Sequence, residues 1–333
     1  MRGTAECYPP ERRGFKPSFL GDLILYMDIS IVIPTFNSEK YIDNCLKSIF
    51  KSDFNGQFEV VIVDGGSTDL TLEMAARYKN VVVISSSNIS VSNSRNCGAS
   101  ISSGEIIIFI DSDCVVNDQL LKKSKLYLEK YACYGSFYNP DPSHGWVSTV
   151  WLDIERKKDG LVEWLTSGTL AVKRSLFNDI GGFNESLQAE EDEDFCYRIR
   201  ASGGKIYNDS SVASVHLGQS NSLGDFFKKE TWRGKSLLKP FKLIKYHKIS
   251  LFDIIVLVYF ASTVTAIISI YKYKLFFTLF SIALLIPLLF TLRALFKIDH
   301  KNTFFKVFLL YNIYFFARAW SIIKYKQWKN FLR

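Results

Sequence analysis

Acidic residues all but vanish from the last third of this 333-residue chain: three follow position 225, against 19 Lys and Arg. Residues 28–225 carry the opposite balance, 27 Asp and Glu against 18 Lys and Arg. The overall charge of +8 therefore hides an acidic region followed by a basic, aromatic tail. That division suits an anionic membrane surface better than a nucleic acid, and no nucleic-acid-binding signature occurs. Cysteines are few and scattered (Cys7, Cys45, Cys97, Cys114, Cys133 and Cys196), with no Cys-x-x-Cys and no His at zinc spacing. This excludes a zinc module and is read most simply as a reduced, cytosolic chain, with Cys114 a packing residue beside Asp113. No G-x-G-x-x-G follows the first strand and no Walker A sequence occurs, so neither common glycine fingerprint supplies a phosphate cradle. Before Met27 there is no cleavage site, and the apolar piece Phe19–Tyr26 is too short to span a bilayer. Residues 1–27 are expected to form an N-terminal extension, with Met27 the functional start or residues 1–26 dispensable.

The chain is organised around Glu105–Asp113, Glu-Ile-Ile-Ile-Phe-Ile-Asp-Ser-Asp. A β-branched apolar run that ends in two carboxylates one residue apart reads as a buried central strand with Asp111 and Asp113 at its C-terminal edge. Ligands of open α/β sheets collect at that edge. Two hard oxygen donors there suit Mn²⁺ or Mg²⁺ carrying a diphosphate, although Asp and Ser are also ordinary turn residues.

Around this strand the pattern repeats. Ile29–Ile33 is a strand closed by Pro34 and Thr35. Asn37 or Ser38 is placed to cap a helix over Glu39–Lys51. Phe58–Val63 is a second strand running into Asp64-Gly-Gly-Ser-Thr-Asp69, where Ser67, Thr68 or Asp69 can cap the next helix. Val81–Ser85 is a third strand, and a polar segment with Arg95 leads through a short helix to the central one. This order predicts a mainly parallel sheet with helices on both faces. Further on come a basic helix (Leu120–Tyr131), aromatic-rich segments through Trp146, Trp151 and Trp164, and a strand over Gly168–Val172. Five acids, Glu190–Asp194, then open another helix. Two readings of them stand side by side: a helix dipole favours acids in its first turn, or, since consecutive carboxylates cannot all point outward, one or two of them line the cleft of Asp111 and Asp113.

Taken together the motifs resemble a family-2 glycosyltransferase with the GT-A fold, over about Ile29–Gly234. They are Ile-Val-Ile-Pro-Thr-Phe-Asn (31–37), Val-Asp-Gly-Gly-Ser-Thr-Asp (63–69), Ser-Arg-Asn-Cys-Gly-Ala-Ser (94–100), Asp-Ser-Asp (111–113), Gly-Gly-Phe-Asn-Glu (181–185) and Glu-Asp-Glu-Asp (191–194). The resemblance implies a Rossmann-like mixed sheet. It puts Pro34, Thr35 and Asp64 around the base and ribose of a nucleotide-diphosphate sugar, UDP-linked by preference. Arg95 would lie near the diphosphate, Asp111 at the ribose or a metal-bound water, and Asp113 on Mn²⁺ or Mg²⁺, with His216 a further ligand. Asp192 would be the general base and Glu191 would shape the acceptor side. One carboxylate taking the acceptor proton opposite a metal-held leaving group gives single displacement with inversion. The chain departs from the family at Gly65, where many members have a second acid or amide. It also has Glu230-Thr231-Trp232-Arg233-Gly234 where processive members carry Gln-x-x-Arg-Trp, so polymer synthesis is not implied; Arg233 is kept as a diphosphate contact.

Residues 226–248 read as a basic amphipathic linker helix and 249–333 as a membrane region. Ile249–Ile270 and Leu275–Leu292, the latter interrupted by Pro287, are each long enough to span. Thr303–Ile323 contains Lys306 and Arg318 and reads better as interfacial. Basic clusters on both sides of the hairpin put the domain over 28–225 in the cytoplasm of a multi-pass cell-membrane protein. The expected activity is metal-dependent transfer of a sugar to a lipid-linked or surface glycan. The alternatives are direct transfer to a polyprenyl phosphate and a nucleotide-sugar-binding membrane scaffold without catalysis.

Overall fold

In a computed structural model of the chain, residues 27–86, 90–187, 189–236, 251–269, 272–298 and 303–325 are described. The extension before Met27 and the basic stretch 237–250, most of the expected linker, lie outside them. In order the elements are β1 (Ile29–Thr35), α1 (Ile42–Phe50), β2 (Phe58–Asp64), α2 (Thr71–Ala75), β3 (Val81–Ser85), α3 (Val91–Ile101), β4 (Ile106–Ile110), β5 (Cys114–Val115), α4 (Leu120–Tyr127), β6 (Cys133–Gly135), β7 (Asn139–Pro140), α5 (Trp146–Glu155), β8 (Gly160–Val162), β9 (Thr169–Lys173), α6 (Arg174–Ile180), α7 (Glu191–Ala201), β10 (Ile206–Asn208), β11 (Val215–His216) and α8 (Leu223–Arg233). Three long helices follow: α9 (Leu251–Ile268), α10 (Tyr273–Leu295) and α11 (Phe304–Lys324).

Two compact units result. The first holds the described residues up to Asn139 and Arg156–Gly218. Its main sheet has eight strands in the order β3-β2-β1-β4-β9-β6-β10-β8. β1 to β4 pair in parallel, and every residue of β4 is buried, as a strand covered on both faces requires. Beyond β4 the expectation of a mainly parallel sheet fails. β9 runs antiparallel to both β4 and β6, and β8 runs antiparallel to β10. After α4 consecutive strands are no longer joined through a helix into parallel neighbours, so nothing keeps them in one direction. The sheet is the GT-A-like mixed one that the motifs imply. A small second sheet pairs β5 with β11 and β11 with β7.

Local capping also differs from expectation. Neither Asn37 nor Ser38 caps α1, whose first turn starts after Tyr41 without a side-chain cap. Asn37 sits instead at φ 48°, a left-handed conformation that Asn tolerates. Its side-chain oxygen accepts from Thr68 N–H, while its own N–H donates to Ser67 Oγ. Nor do Ser67, Thr68 or Asp69 take the cap position of α2, which falls on Leu70 without a side-chain cap, although Asp69 accepts from Thr71 N–H at 3.0 Å just before that helix. The loops after β1 and β2 are thereby stitched into one ledge along the sheet's C-terminal edge.

The second unit comprises Pro140–Glu155 and the described residues from Gln219 onward. Here α5, α8, α9, α10 and α11 share one core of Val147, Trp151, Phe226, Val256, Ala283, Leu310, Phe315 and neighbours. A buried ion cluster pins two of these helices: Glu230 on α8, 1% exposed, accepts from Arg233 at 2.6 Å and from Arg318 of α11 at 3.1 Å. Among the described residues one helix, α10, is long and apolar enough to cross a membrane, with mean hydropathy 2.5 and 17% of its most apolar window buried. The described part of the first expected span yields only a shorter apolar helix, Ile254–Ile268, so two spanning helices are not supported.

Candidate active site

β4 ends at Ile110, and Asp111, Ser112 and Asp113 form the turn beyond it. Each is fixed differently. Ser112 Oγ and Ser38 Oγ lie 2.8 Å apart in a shared hydrogen bond. Asp111 Oδ1 accepts from Arg95 Nη2 at 2.7 Å and its Oδ2 from Tyr138 Oη at 3.0 Å. Burial alone would raise the Asp111 carboxyl. The charges of Arg95 and His216 and the hydrogen bonds from Arg95 and Tyr138 outweigh it and hold the group below the usual carboxylate range. Tyr138 is pushed the other way, well above an ordinary phenol, by burial and by Asp111, so it stays a donor.

Asp113 meets His216 because of sheet register. β11 pairs antiparallel with β5 so that His216 lies opposite Cys114, the residue after Asp113. His216 Nε2 is 3.3 Å from Asp113 Oδ1, and Leu217 N–H donates to the Asp113 carbonyl at 2.8 Å. Donor atoms of Asp113, Cys114 and His216 lie within 4.8 Å of one another. Burial raises the Cys114 thiol well above its usual value, which keeps it a poor ligand. The remaining set, a carboxylate and an imidazole with Asp111 adjacent, fits Mn²⁺ or Mg²⁺ with the open positions a diphosphate needs.

Two glycines and a tyrosine in this site carry no sequence signal. A Cβ on Gly168 would stand 2.5 Å from Asp111 Oδ2 and 1.9 Å from Tyr138 Oη. One on Gly218 would stand 1.9 Å from Asp113 Oδ2. Each carboxylate is thus overlaid by backbone that only glycine permits. Tyr138, in the irregular stretch before β7, also packs its ring on His216 at 4.6 Å between centroids.

The acidic helix start comes to the same place. Glu190 turns the chain with φ 64°, and Glu191 at the head of α7 accepts from Arg95 Nη1 at 2.7 Å. One guanidinium on α3 therefore joins the carboxylate beyond β4 to that opening α7. Arg95 is only 2% exposed and lies over the Phe183 ring at 5.4 Å. Asp194 faces elsewhere, paired with Arg198 at 2.8 Å within α7. Asp192 is half-buried, and its carboxyl is raised well above the usual range by burial and by Glu191 and Glu193, with Arg95 pulling it back. The acids divide: Glu191 is bound to Arg95, Asp192 accepts from Glu193 N–H at 2.9 Å and feels the Arg95 charge, and Asp194 is tied to Arg198 of its own helix.

At the ledge, Thr35 is buried and Pro34 half-buried. Asp64 is fully buried, its carboxylate accepting from Gly66 N–H at 3.0 Å and from Ser67 N–H at 2.9 Å and also from Ser67 Oγ. An exposed ring there is Phe36, 62% open beside the Gly65 turn. Arg233 belongs to the second unit, its guanidinium on Glu230.

Residues 30–181 match the sequence profile of glycosyl transferase family 2. Poly(ribitol-phosphate) beta-N-acetylglucosaminyltransferase TarS of Staphylococcus aureus is 36% identical over 111 residues, 32% of this chain and 19% of that protein. The chain thus spans about a fifth of that relative's length. Glycosyltransferase AglE of Haloferax volcanii is 23% identical over 228 residues, 65% of this chain and 74% of AglE. The solved structure of mannosyltransferase PcManGT from Pyrobaculum calidifontis, in complex with GDP-Man and Mn²⁺, covers 90% of this chain and 87% of its own with a TM-score of 0.59 and 15% identity, a likeness of fold. Residues 30–181 of this chain thus carry the sequence pattern of glycosyl transferase family 2, on a GT-A-like mixed sheet.

Proposed function

We propose that the chain transfers a sugar from a nucleotide-diphosphate donor to an acceptor hydroxyl with inversion, and that it works at a membrane. The observation that carries this is Arg95, whose two Nη atoms, at 2.7 Å each, tie Asp111 to Glu191 and so join the two acidic clusters through one guanidinium. Phe36 offers the donor base a flat apolar face. Asp64, with its oxygens engaged by its own loop, acts by shaping the ledge under base and ribose, alongside Pro34 and Thr35. UDP is the nucleotide carried over from the resemblance, and GDP is its competitor in any test.

Asp113 and His216, with Asp111, would hold Mn²⁺ or Mg²⁺. When bound, the cation supplies positive charge against the leaving diphosphate. Asp192, ionised, takes the acceptor proton on the far side of the sugar, and its raised pKa makes it a better base than an ordinary carboxylate. Glu191 cannot serve as base while bound to Arg95, and it fixes the helix that carries Asp192. Arg95 is too buried to reach a diphosphate, so we assign it a positioning role in place of the expected donor contact. Arg233 is left out of the donor site because its guanidinium is held by Glu230. The apolar, mostly open surface of α10 supports a membrane anchor, and a lipid-linked or surface glycan is the acceptor class that such an anchor brings within reach.

The test is release of free nucleoside diphosphate from a panel of nucleotide sugars, with thermal stabilisation by each donor measured with and without Mn²⁺. Asp192→Asn should lower turnover by about 10²- to 10⁴-fold while leaving donor stabilisation intact. Retained turnover would remove Asp192 as base and favour an acceptor that is already anionic, such as a polyprenyl phosphate. Asp113→Asn should abolish the Mn²⁺ dependence of donor binding. Donor binding without any release of nucleoside diphosphate would leave only a binding scaffold.

A further inference from the structure

The open face of α11 is a single apolar stripe. Phe305, Leu309, Phe316, Trp320 and Ile323 are between 41% and 83% exposed. At about 100° per residue they fall within about 60° of arc on one side of the helix. The opposite side is committed to the second unit's core through Val307, Leu310, Phe315 and Ile322. Each end of the stripe is closed by lysine on an aromatic ring. Lys306 Nζ lies 5.6 Å from the Trp146 ring, and Lys324 and Lys235 lie 5.4 and 4.7 Å from that of Tyr325. Lys235 also reaches Trp232, 47% exposed, at 5.7 Å. Lys306 and Lys324 are about five helical turns apart and so share one edge of the stripe.

We propose that α11 lies flat on an anionic lipid surface, with the stripe at the boundary between headgroups and acyl chains and the lysine–aromatic pairs among the headgroups. Charge complementarity selects this occupant: a chain end with 19 basic and three acidic residues seeks negative charge, and Trp, Tyr and Lys are the side chains that settle at headgroup level. A spanning α11 is excluded by its neighbour. α8 packs along it and carries Lys228, 79% exposed, which spanning would drag into hydrocarbon. Lying flat keeps both lysine ends at one depth. The proposal is independent of the transfer reaction.

Depth measurement tests it. The full chain is reconstituted in vesicles of phosphatidylcholine alone or with phosphatidylglycerol. Nitroxide labels are carried in turn by Phe305→Cys, Leu309→Cys, Phe316→Cys and Ile323→Cys, with the parent chain labelled in parallel as background. Relative accessibility to oxygen and to a water-soluble nickel complex gives each label's depth. All four labels should sit at one depth, about 5–10 Å below the headgroup level. They should lie deeper when phosphatidylglycerol is present, and Lys306→Gln with Lys324→Gln should remove that difference. In the chain without introduced cysteines, quenching of tryptophan by brominated lipids should fall on Trp320→Phe. A depth that peaks at mid-helix would mean a spanning helix and overturn the proposal. So would labels left as wet by vesicles as without them, or labels shielded from oxygen and nickel alike, which would mean a protein partner or a second copy on the stripe.

Discussion

Arg95 donates to Glu191 at 2.7 Å across 96 residues of sequence, and the same guanidinium donates to Asp111 at 2.7 Å. A buried cation between two carboxylates is a strut: removing it leaves two like charges facing each other in a desolvated place. Arg95→Met should therefore lower kcat by about 100-fold, the usual cost of misplacing a reacting group by about 1 Å. The KM for donor should move far less, because Arg95 touches no donor in this reading. Arg95→Lys, which keeps charge but cannot bridge both partners, should recover only part of the loss. Steady-state kinetics decide it: a donor KM that rises in step with the fall in kcat would return Arg95 to the diphosphate.

Asp192 gives a pH prediction. Its carboxyl is raised well above the ordinary range by burial and by Glu191 and Glu193, against the pull of Arg95. A base works only when ionised, so kcat should fall as pH drops through a limb centred above the usual carboxylate value. In Arg95→Met that limb should move further up, since the cation opposing the shift is gone.

The same shift carries a stability consequence. A carboxyl whose folded pKa is raised contributes stability that is full below its unfolded pKa and lost as pH rises through the folded one. Asp192→Asn has no such loss. Its melting temperature should exceed that of the parent at pH 8, and the difference should close towards pH 4. Equal melting temperatures across that range would mean that Asp192 is not strained in the folded chain.

Strands of this fold were legible because burial on both faces writes them as unbroken apolar runs: Ile29–Ile33, Phe58–Val63 and Ile106–Ile110 are all where composition puts them. Asp111 and Asp113 were legible as the point where such a run stops. The direction of β9 was not, since its Thr-Leu-Ala-Val-Lys reads the same in a parallel or antiparallel pair. The division of labour among Glu191, Asp192 and Asp194 was not legible either, because it depends on which face of α7 meets Arg95, a residue of α3. α5 belongs with α8 and α11 although it interrupts the first unit in sequence, and its Trp146 and Trp151 could be read only as aromatic.

Gly168 and Gly218 are the clearest residues that sequence alone passed over, and they separate the two carboxylates experimentally. A methyl on Gly218 enters the space of Asp113 Oδ2 and must displace that carboxylate, so Gly218→Ala should weaken Mn²⁺-dependent donor stabilisation. Gly168→Ala meets Tyr138 Oη and Asp111 Oδ2 in a tighter place. It should cost about 1–3 kcal/mol of stability, the ordinary range for overpacking. Gly168→Ala with Tyr138→Phe removes the hydroxyl that the methyl would strike and should regain part of that loss. Thermal melts with and without Mn²⁺ and donor read all three variants.

Glu230 is the place where the helical unit is most exposed to a single change. Its carboxylate, 1% exposed, holds Arg233 of its own helix and Arg318 of α11. Glu230→Ala removes the carboxylate that both guanidinium groups share, with the charge of Glu155 still acting on them, and breaking a buried pair by removing one partner typically costs about 3–5 kcal/mol. Glu230→Gln keeps the shape and one acceptor and should cost less. Adding Arg318→Met to Glu230→Ala should recover stability, because one of two mutually repelling charges goes too. Thermal denaturation of the full chain in detergent measures the series. Full additivity of the two single losses would mean that the pair does not act as a unit.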